Sequence, residues 1–206
     1  MIHATTNINV LSFVHYTPHD WNYTIKIKKE LISITENWKC SKLNKRLSKK
    51  CKKIKLLVTD VDGVLTDGGM YYSNNGEYLK KFHTRDGMGI ELLLKYRIKT
   101  IAITKEDSEI VKTRMKKINV VKLYSGITQK ETELENICRE FEVNPSQIAY
   151  IGDDVNDIEL MKKVGFSASP NDGIAQVKRI ADYVCKTNGG DGVLREVADL
   201  IISTNL

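Results

Sequence analysis

The stretch LLVTDVDGVLTDG, residues 56–68, places Asp60 and Asp62 at the end of a short apolar run and adds Asp67 shortly afterwards. An apolar run of this kind is typical of a strand buried in a parallel sheet. Carboxylates held close together raise one another's pKa and cost stability unless a cation neutralises them. The spacing therefore indicates a cation site, and its oxygen ligands favour Mg²⁺ that shares the site with a phosphate group.

Polar residues also follow other predicted strands, at the end of the strand or shortly after it. They are Thr104 and Lys105 after IKTIAI, Lys130 at the start of the helix after the third strand, and Asp153, Asp154 and Asp157 after QIAYIG. Singly, Thr104 is also compatible with a helix N-cap, and Lys130 with a solvated helix position. Because the carboxyl ends of parallel strands meet at one edge, where ligands bind, the whole set predicts a single phosphate and metal site.

The first strand supplies the residues that would do covalent chemistry. Asp60 is fixed at the strand end, so we predict that it is the nucleophile and forms an aspartyl-phosphate. Asp62, in the following turn, would protonate the leaving oxygen and then deprotonate the hydrolytic water. Gly63 would let the backbone turn sharply and present amide groups to the phosphate.

The other strand ends would bind the charged groups. Thr104 and Lys130 would hold the phosphoryl oxygens as charge shifts during transfer. Asp153 would bind the metal, and Asp154 or Asp157 would either bind it as well or orient its waters.

The elements that must position these residues follow a regular pattern from Lys53 onward. Short apolar strands alternate with amphipathic helices over about 150 residues, which predicts βαβ units, a parallel sheet and helices on both faces. Between the first two strands, alternating residues on either side of Asn75-Gly76 predict a β-hairpin. The predicted fold is therefore an α/β, three-layer, Rossmann-like sheet with a hairpin insertion, in which the short gap between Asp62 and Thr104 leaves no room for a large inserted domain.

With these motifs in place, the chain resembles the haloacid dehalogenase (HAD) superfamily of phosphatases over about residues 53–203. Asp60-Val61-Asp62-Gly63 resembles the first motif of that family, Thr104 the second, Lys130 the third, and Gly152-Asp153-Asp154 through Asp157 the fourth. The resemblance implies that Mg²⁺ is bound by Asp60, by the main-chain carbonyl of Asp62 and by Asp153.

Four longer segments resemble the capless 3-deoxy-D-manno-octulosonate 8-phosphate (KDO 8-phosphate) phosphatase group, which includes related nonulosonate (sialic-type) 9-phosphate phosphatases. They are DGVLTDG, NNGEYLKKFHTRDGMGI, GDDVNDIELMKKVG and GGDGVLREV. This resemblance implies a homotetramer formed through the hairpin at about Gly68 to Phe82, with Gly189 to Arg195 near a neighbouring subunit's pocket. A plain helix N-terminus is the simpler interpretation of that last segment.

The resemblance also implies a small phosphorylated sugar acid as the substrate. Candidate contacts to phosphate or sugar are Gly63, Thr104, Lys130, His83, Thr84, Arg85, Asp86, Gly87, Glu106, Arg114 and Lys117. Thr104-Lys105-Glu106 stands where the octulosonate group usually has Thr-Gly-Arg, and Glu91 stands where it often has Arg. Glu106, Arg114 and Lys117 resemble the nine-carbon branch, so we favour a 9-phosphate of a sialic-type acid, while Lys105 calls the loop geometry into question.

Bulk composition sets the remaining expectations. The 206 residues are 41% hydrophobic and 28% charged, which is ordinary for a globular protein. No apolar run is long enough to cross a bilayer and no secretory signal is evident, so we expect a cytoplasmic protein. The four cysteines form no C-x-x-C pair, which argues against a zinc ribbon or redox pair.

The net charge of +6 comes from one segment, residues 39–55, which holds nine basic residues and no acidic one. We interpret residues 1–52 as a basic N-terminal extension whose composition is compatible with disorder, and residues 53–206 as the HAD-like phosphatase domain. Because no aromatic residues alternate with the basic ones, we expect neither a nucleic-acid nor a membrane partner. Two alternatives stay open: a catalytically weak oligomerisation module, like those attached to acylneuraminate cytidylyltransferases, and a protein that acts through the basic segment.

Overall fold

The computed structural model describes residues 45–205, and these form a parallel sheet with helices on both faces. The sheet contains β1 (Leu56–Thr59), β4 (Lys99–Ile103), β5 (Lys122–Tyr124), β6 (Ile148–Ile151), β7 (Phe166–Ser169) and β8 (Tyr183–Val184). Its strand order is β5-β4-β1-β6-β7-β8, and every pairing is parallel. The α/β fold class predicted from the sequence is confirmed.

The segment between β1 and β4 contains a hairpin and a helix. The hairpin is formed by β2 (Tyr71–Ser73) and β3 (Gly76–Leu79), which pair antiparallel around the predicted turn. Helix α2 (Thr84–Lys95) follows and leads back to β4. This segment therefore holds no large cap domain, as predicted.

The helices after α2 complete the crossovers. They are α3 (Glu109–Lys117), α4 (Leu134–Phe141), α5 (Ile158–Lys163), α6 (Ala175–Ile180) and α7 (Val193–Asn205), with 3₁₀ turns at Lys130–Glu133, Pro145–Gln147 and Val155–Asp157. No described helix is both long enough and apolar enough to cross a membrane.

The sheet is apolar on both faces because helices cover each of them. Leu56 and Val58 of β1 join Ile101 and Ile148 in a cluster that also contains buried residues of α4, α5 and α6. Successive residues of a strand point to opposite faces, so the intervening Leu57 faces the side where α2 packs on β4 and α7. Burial on both faces explains the nearly continuous apolar runs in the sequence.

Part of the basic segment lies within the described residues. Lys45–Cys51 form a short helix, α1, which contacts α7, and Lys50 pairs with Asp182 at 2.6 Å. The rest of the predicted extension, residues 1–44, lies outside the described residues. Cys51, Cys138 and Cys185 are free thiols.

Candidate active site

The predicted catalytic residues meet at the carboxyl edge of the three central strands. Asp60 follows β1 directly, and its backbone N–H continues the ladder by donating to Ile151 O of β6 at 2.9 Å. Thr104 follows β4, which is paired with β1 on the other side. The strand order thus places Asp60 between Thr104 on one side and, on the other, the loop after β6, which carries Asp153 and Asp154.

Asp60 and Lys130 form a buried ion pair. The Lys130 Nζ lies 2.7 Å from Asp60 Oδ1 and 2.7 Å from Asp157 Oδ1, and the Lys130 side chain has no exposed area. The N–H of Val61 also donates to Asp60 Oδ1, at 2.7 Å. Complete burial excludes the interpretation of Lys130 as a solvated helix residue.

Asp157 is fully buried, and both of its carboxylate oxygens accept hydrogen bonds from neighbouring protein groups. Its Oδ1 accepts from Lys130 and from the Tyr150 hydroxyl at 2.6 Å, and its Oδ2 accepts from the N–H groups of Asp153 and Asp154 at 2.8 and 3.1 Å. Asp157 therefore fixes both the lysine and the loop that carries Asp153.

Asp60, Asp153 and Asp157 offer carboxylate oxygens that lie within 4.8 Å of one another. Asp153 Oδ1 is buried without a hydrogen-bond partner among the described residues. Burial, together with the charge of Asp157, raises the pKa of Asp60 to about 7. Burial, together with the charge of Asp60, raises the pKa of Asp153 to about 8. One lysine faces three carboxylates, so the cluster has the excess of negative charge and the free oxygen that suit a divalent cation.

Gly63 is required by the geometry of the same cluster. Its φ is +87°, and a Cβ at this position would lie 2.0 Å from Asp153 Oδ2. Any side chain here would therefore displace the carboxylate predicted to bind metal. The lack of a Cβ, as well as the freedom to turn, explains the glycine.

Asp62 lies on the hairpin side of Asp60. Its Oδ1 accepts from Lys80 Nζ at 2.7 Å and from the Thr66 hydroxyl at 3.2 Å. Its Oδ2 is buried and has no hydrogen-bond partner among the described residues. One oxygen of Asp62 is thus anchored by the protein, and the other is left for a ligand.

Comparisons with known proteins agree with this geometry. Residues 95–197 match the family model of the haloacid dehalogenase-like hydrolases. The 3-deoxy-D-manno-octulosonate 8-phosphate phosphatase of Haemophilus influenzae is 38% identical over 156 residues, which cover 76% of this chain and 87% of the relative. The chain belongs to the haloacid dehalogenase-like hydrolases, in the group of the KDO 8-phosphate phosphatases. The predicted enzyme class, a phosphoric monoester hydrolase, is confirmed by these relatives.

Solved structures of the same family superpose well. A KDO 8-phosphate phosphatase of Moraxella catarrhalis, in complex with a magnesium ion, a phosphate ion and a KDO molecule, has a TM-score of 0.76 at 34% identity and covers 78% of this chain and 92% of its own. The cobalt-bound phosphatase of Haemophilus influenzae has a TM-score of 0.73 at 38% identity, covering 75% of this chain and 91% of its own.

The predicted sugar contacts surround α2 and α3. Thr84, Arg85, Glu106 and Lys117 are exposed, whereas His83 and Arg114 are half-buried. Arg114 donates to the His83 carbonyl at 3.0 Å and stacks on Phe82, so α3 is tied to the start of α2. A role for these side chains in binding sugar stays a prediction.

Asp86 and Gly87, which belong to the same predicted set, lie close to other elements. Asp86 is 2% exposed and its Oδ1 accepts from the Arg195 N–H at the start of α7, at 3.1 Å. A Cβ on Gly87 would lie 3.1 Å from Ile118 Cγ2. Their contribution to a substrate site also stays a prediction.

Lys105 does not disturb its loop. Lys105 is exposed, and its φ is not positive, so its Cβ causes no backbone strain. Thr104 is buried and its hydroxyl accepts from the Glu106 N–H at 3.3 Å. The backbone of this loop is therefore compatible with a lysine at position 105.

The sequence reasoning missed three residues that hold the cluster together: Thr66, Lys80 and Tyr150. Tyr150 had a usable signal, because a tyrosine within a strand buried on both faces needs a partner for its hydroxyl. Lys80 had none, since a lysine beside another lysine at the end of a hairpin usually lies in solvent.

We expect Asp86 to make stability depend on pH. Burial raises its pKa to about 7, against the opposing effects of Arg195 and Arg114. Between the ordinary value of 3.8 and about 7 the folded protein binds more protons than the unfolded chain, so its contribution to stability falls as pH rises. Denaturant titrations at pH 5 and pH 8 should show that the free energy of unfolding of the wild type falls by about 1–3 kcal/mol more than that of Asp86→Asn across this interval. Parallel pH curves would contradict the assignment.

Proposed function

We propose that the protein is a Mg²⁺-dependent phosphatase of a phosphorylated 2-keto-3-deoxy sugar acid, acting through an aspartyl-phosphate. The observation that carries this proposal is the buried cluster of Asp60, Lys130 and Asp157 beside the unpartnered oxygen of Asp153. The predicted cofactor, Mg²⁺, agrees with the metal-bound structures of the same family.

In the first step, Asp60 attacks phosphorus and forms a P–O bond, while the bond from phosphorus to the sugar oxygen breaks. The sugar oxygen takes a proton from Asp62. In the second step a water attacks phosphorus, gives its proton to Asp62, and the bond to Asp60 breaks. Both carboxyl groups return to their starting states, and inorganic phosphate and the sugar acid leave.

The surrounding residues stabilise the charge that moves during these steps. Lys130, held by Asp60 and Asp157, and Thr104, at the end of the neighbouring strand, would hold phosphoryl oxygens. Asp60, Asp153 and the main-chain carbonyl of Asp62 would bind Mg²⁺, which supplies positive charge to the phosphoryl group. Asp157 would orient this shell, since its own oxygens already accept four hydrogen bonds.

Phosphate release from KDO 8-phosphate and from sialic-type 9-phosphates, measured with and without Mg²⁺, tests this function. We expect activity that EDTA abolishes and added Mg²⁺ restores. Asp153→Asn should raise the Mg²⁺ concentration needed for half-maximal rate by about tenfold or more, because it removes the oxygen that lacks another partner. Activity that survives metal removal, or none on any substrate of this class, would overturn the proposal.

The relatives and the loop after β4 favour different numbers of carbon atoms in the sugar-acid substrate. The named relatives are eight-carbon phosphatases, whereas Glu106 follows the nine-carbon pattern. A carboxylate in place of a guanidinium reverses the charge beside an anionic substrate. We expect Glu106→Arg to shift the ratio of kcat/KM values toward KDO 8-phosphate by about tenfold, equivalent to ~1.4 kcal/mol. Glu109→Arg, an exposed position on the same segment, is the control, and an equal shift in both variants would contradict a specific role for Glu106.

We also propose that the protein assembles as a homotetramer through the hairpin, in the cytoplasm. Large apolar side chains are exposed together on this segment: Met70, Tyr71, Tyr72, Tyr78 and Leu79, with Tyr72 63% and Tyr78 69% exposed. A concentration of such groups on one short element favours a protein interface. The turn at Gly189 packs on its own chain's Gly63 loop, and its approach to a neighbouring pocket stays part of this proposal.

Light scattering on the purified protein tests the assembly. The wild type should have the mass of a tetramer, and Tyr72→Glu should reduce it to smaller species, because the charge would be buried at the interface. Val121→Glu, at an exposed apolar position outside the hairpin, should leave the mass unchanged. A monomeric wild type would refute the proposal. A tetramer without phosphatase activity would instead support the alternative of a catalytically weak oligomerisation module.

A further inference from the structure

Lys80 is a buried lysine at the end of the hairpin. Its side chain is 1% exposed and lies between two carboxylates, with Nζ 2.7 Å from Asp62 Oδ1 and 2.9 Å from Glu77 Oε1. A buried ammonium group is costly unless it is paired, so these two contacts determine where the lysine can sit. Burial opposes its charge, but the hydrogen bonds that Lys80 donates to the Asp62 and Glu77 carboxylates prevail and raise its pKa.

Glu77 is itself fixed from a third element. The Ser108 hydroxyl donates to Glu77 Oε2 instead of capping α3, although Ser108 occupies the N-cap position of that helix. Ser108 ends the loop that begins at Thr104. The chain from Asp62 through Lys80 and Glu77 to Ser108 therefore connects the loops after β1 and β4, which flank the proposed phosphate position.

The contacts on Asp62 are asymmetric. Lys80 and Thr66 both bind Oδ1, and Oδ2 is buried and without a hydrogen-bond partner among the described residues. A carboxyl group that transfers protons needs one oxygen free to reach the leaving group and the remainder held in place. Around Asp62, Oδ1 is held by two donors, and Oδ2 has no hydrogen bond to a described residue that a leaving group would have to displace.

We propose that Lys80 is a positioning residue that holds Asp62 through Oδ1 so that Oδ2 transfers the proton to the leaving oxygen and receives it from water. This inference rests on the proposed phosphatase function and on the role of Asp62 as acid and base. Lys80 itself contacts neither substrate nor metal in the mechanism. Its effect therefore depends on how much the leaving group needs a proton.

That dependence supplies the test. The value of kcat/KM reports the steps up to departure of the leaving group, and p-nitrophenolate leaves without a proton whereas a sugar alkoxide needs one. With Mg²⁺ present, Lys80→Met should lower kcat/KM for the sugar-acid phosphate by about a hundredfold. On p-nitrophenyl phosphate the loss should be within about threefold, because Asp60, Lys130 and the metal ligands stay in place.

Three further variants separate positioning from folding. Lys162→Met, an exposed lysine on α5 that pairs with Glu159, should match the wild type on both substrates. Glu77→Gln keeps Lys80 but removes one of its anionic partners, and should give a smaller loss with the same preference for the alkyl substrate. Lys80→Arg, which keeps a cation, should recover part of the lost rate. Thermal denaturation checks that each variant is folded.

The outcomes distinguish this inference from the function on which it rests. Equal losses on both substrates in folded variants, or no loss in Lys80→Met and Glu77→Gln, would overturn the role of Lys80 while leaving the phosphatase function intact. If Lys80→Met does not fold, the substrate preference of Glu77→Gln decides. A wild type that releases no phosphate from any sugar-acid phosphate would overturn the phosphatase function, and the role of Lys80 with it.

Discussion

Asp60→Asn should reduce phosphate release by at least about a thousandfold, because the amide cannot form the aspartyl-phosphate. The same change should leave the fold as stable as the wild type or make it more stable. In the absence of metal Asp60 is one of three carboxylates that share Lys130, and burial together with the charge of Asp157 raises its pKa to about 7. Removing one of these charges relieves repulsion in a buried cluster.

The measurement combines steady-state kinetics with denaturant unfolding in EDTA. Asp182→Asn is the matched control, since Asp182 precedes β8 and therefore lies at the opposite edge of the sheet from the site. It should keep the wild-type rate. A folded Asp60→Asn variant with more than a few per cent of wild-type activity would show that another group attacks phosphorus.

Lys130→Met should cause the largest loss of stability of any single change in the site. Lys130 has no exposed side-chain area and pairs with Asp60 and Asp157 at 2.7 Å each. Its removal leaves buried carboxylates without their cation, and breaking a buried pair in this way costs about 3–5 kcal/mol. Methionine keeps the length of the side chain, so the loss reports charge more than packing.

A double-mutant cycle makes this prediction specific. In EDTA, Asp60→Asn should stabilise the Lys130→Met variant by more than it stabilises the wild type, because without Lys130 the buried Asp60 charge is unpaired. Adding Mg²⁺ should also recover part of the stability of Lys130→Met, since a cation that binds the folded state stabilises it. Strictly additive effects of the two substitutions would contradict the ion pair as the cause.

The predictions on stability and on catalysis share one physical origin. Three carboxylates lie close enough together to bind one cation, and Lys130 neutralises only part of their negative charge. The site is therefore under electrostatic strain without metal. Function is favoured over stability at this point of the fold, as expected for an active site.

The parallel sheet, its hairpin and the clustering of the strand-end residues can be predicted from the amino-acid sequence. Alternation of short apolar runs with amphipathic helices has a direct physical cause in burial on both faces of a parallel sheet. Asp60, Thr104 and Asp153 are predicted to lie at one edge of the sheet because each follows a strand, and parallel strands end at one edge. Asn75-Gly76 predicted the hairpin because this pair favours a tight turn between strands. In the structure the turn falls one residue earlier, at Asn74 and Asn75, and Gly76 begins β3 with a φ of +104°.

The tertiary structure decided how these residues share their charges. Asp157 was predicted either to bind metal or to orient its waters, and its four hydrogen bonds, including one from Tyr150 across the cluster, show a residue held in place by its surroundings. Lys80 is buried between Asp62 and Glu77 because the hairpin folds back over the loop after β1. Strand periodicity contains no information about such contacts, since they depend on distances between side chains that only the packed fold sets.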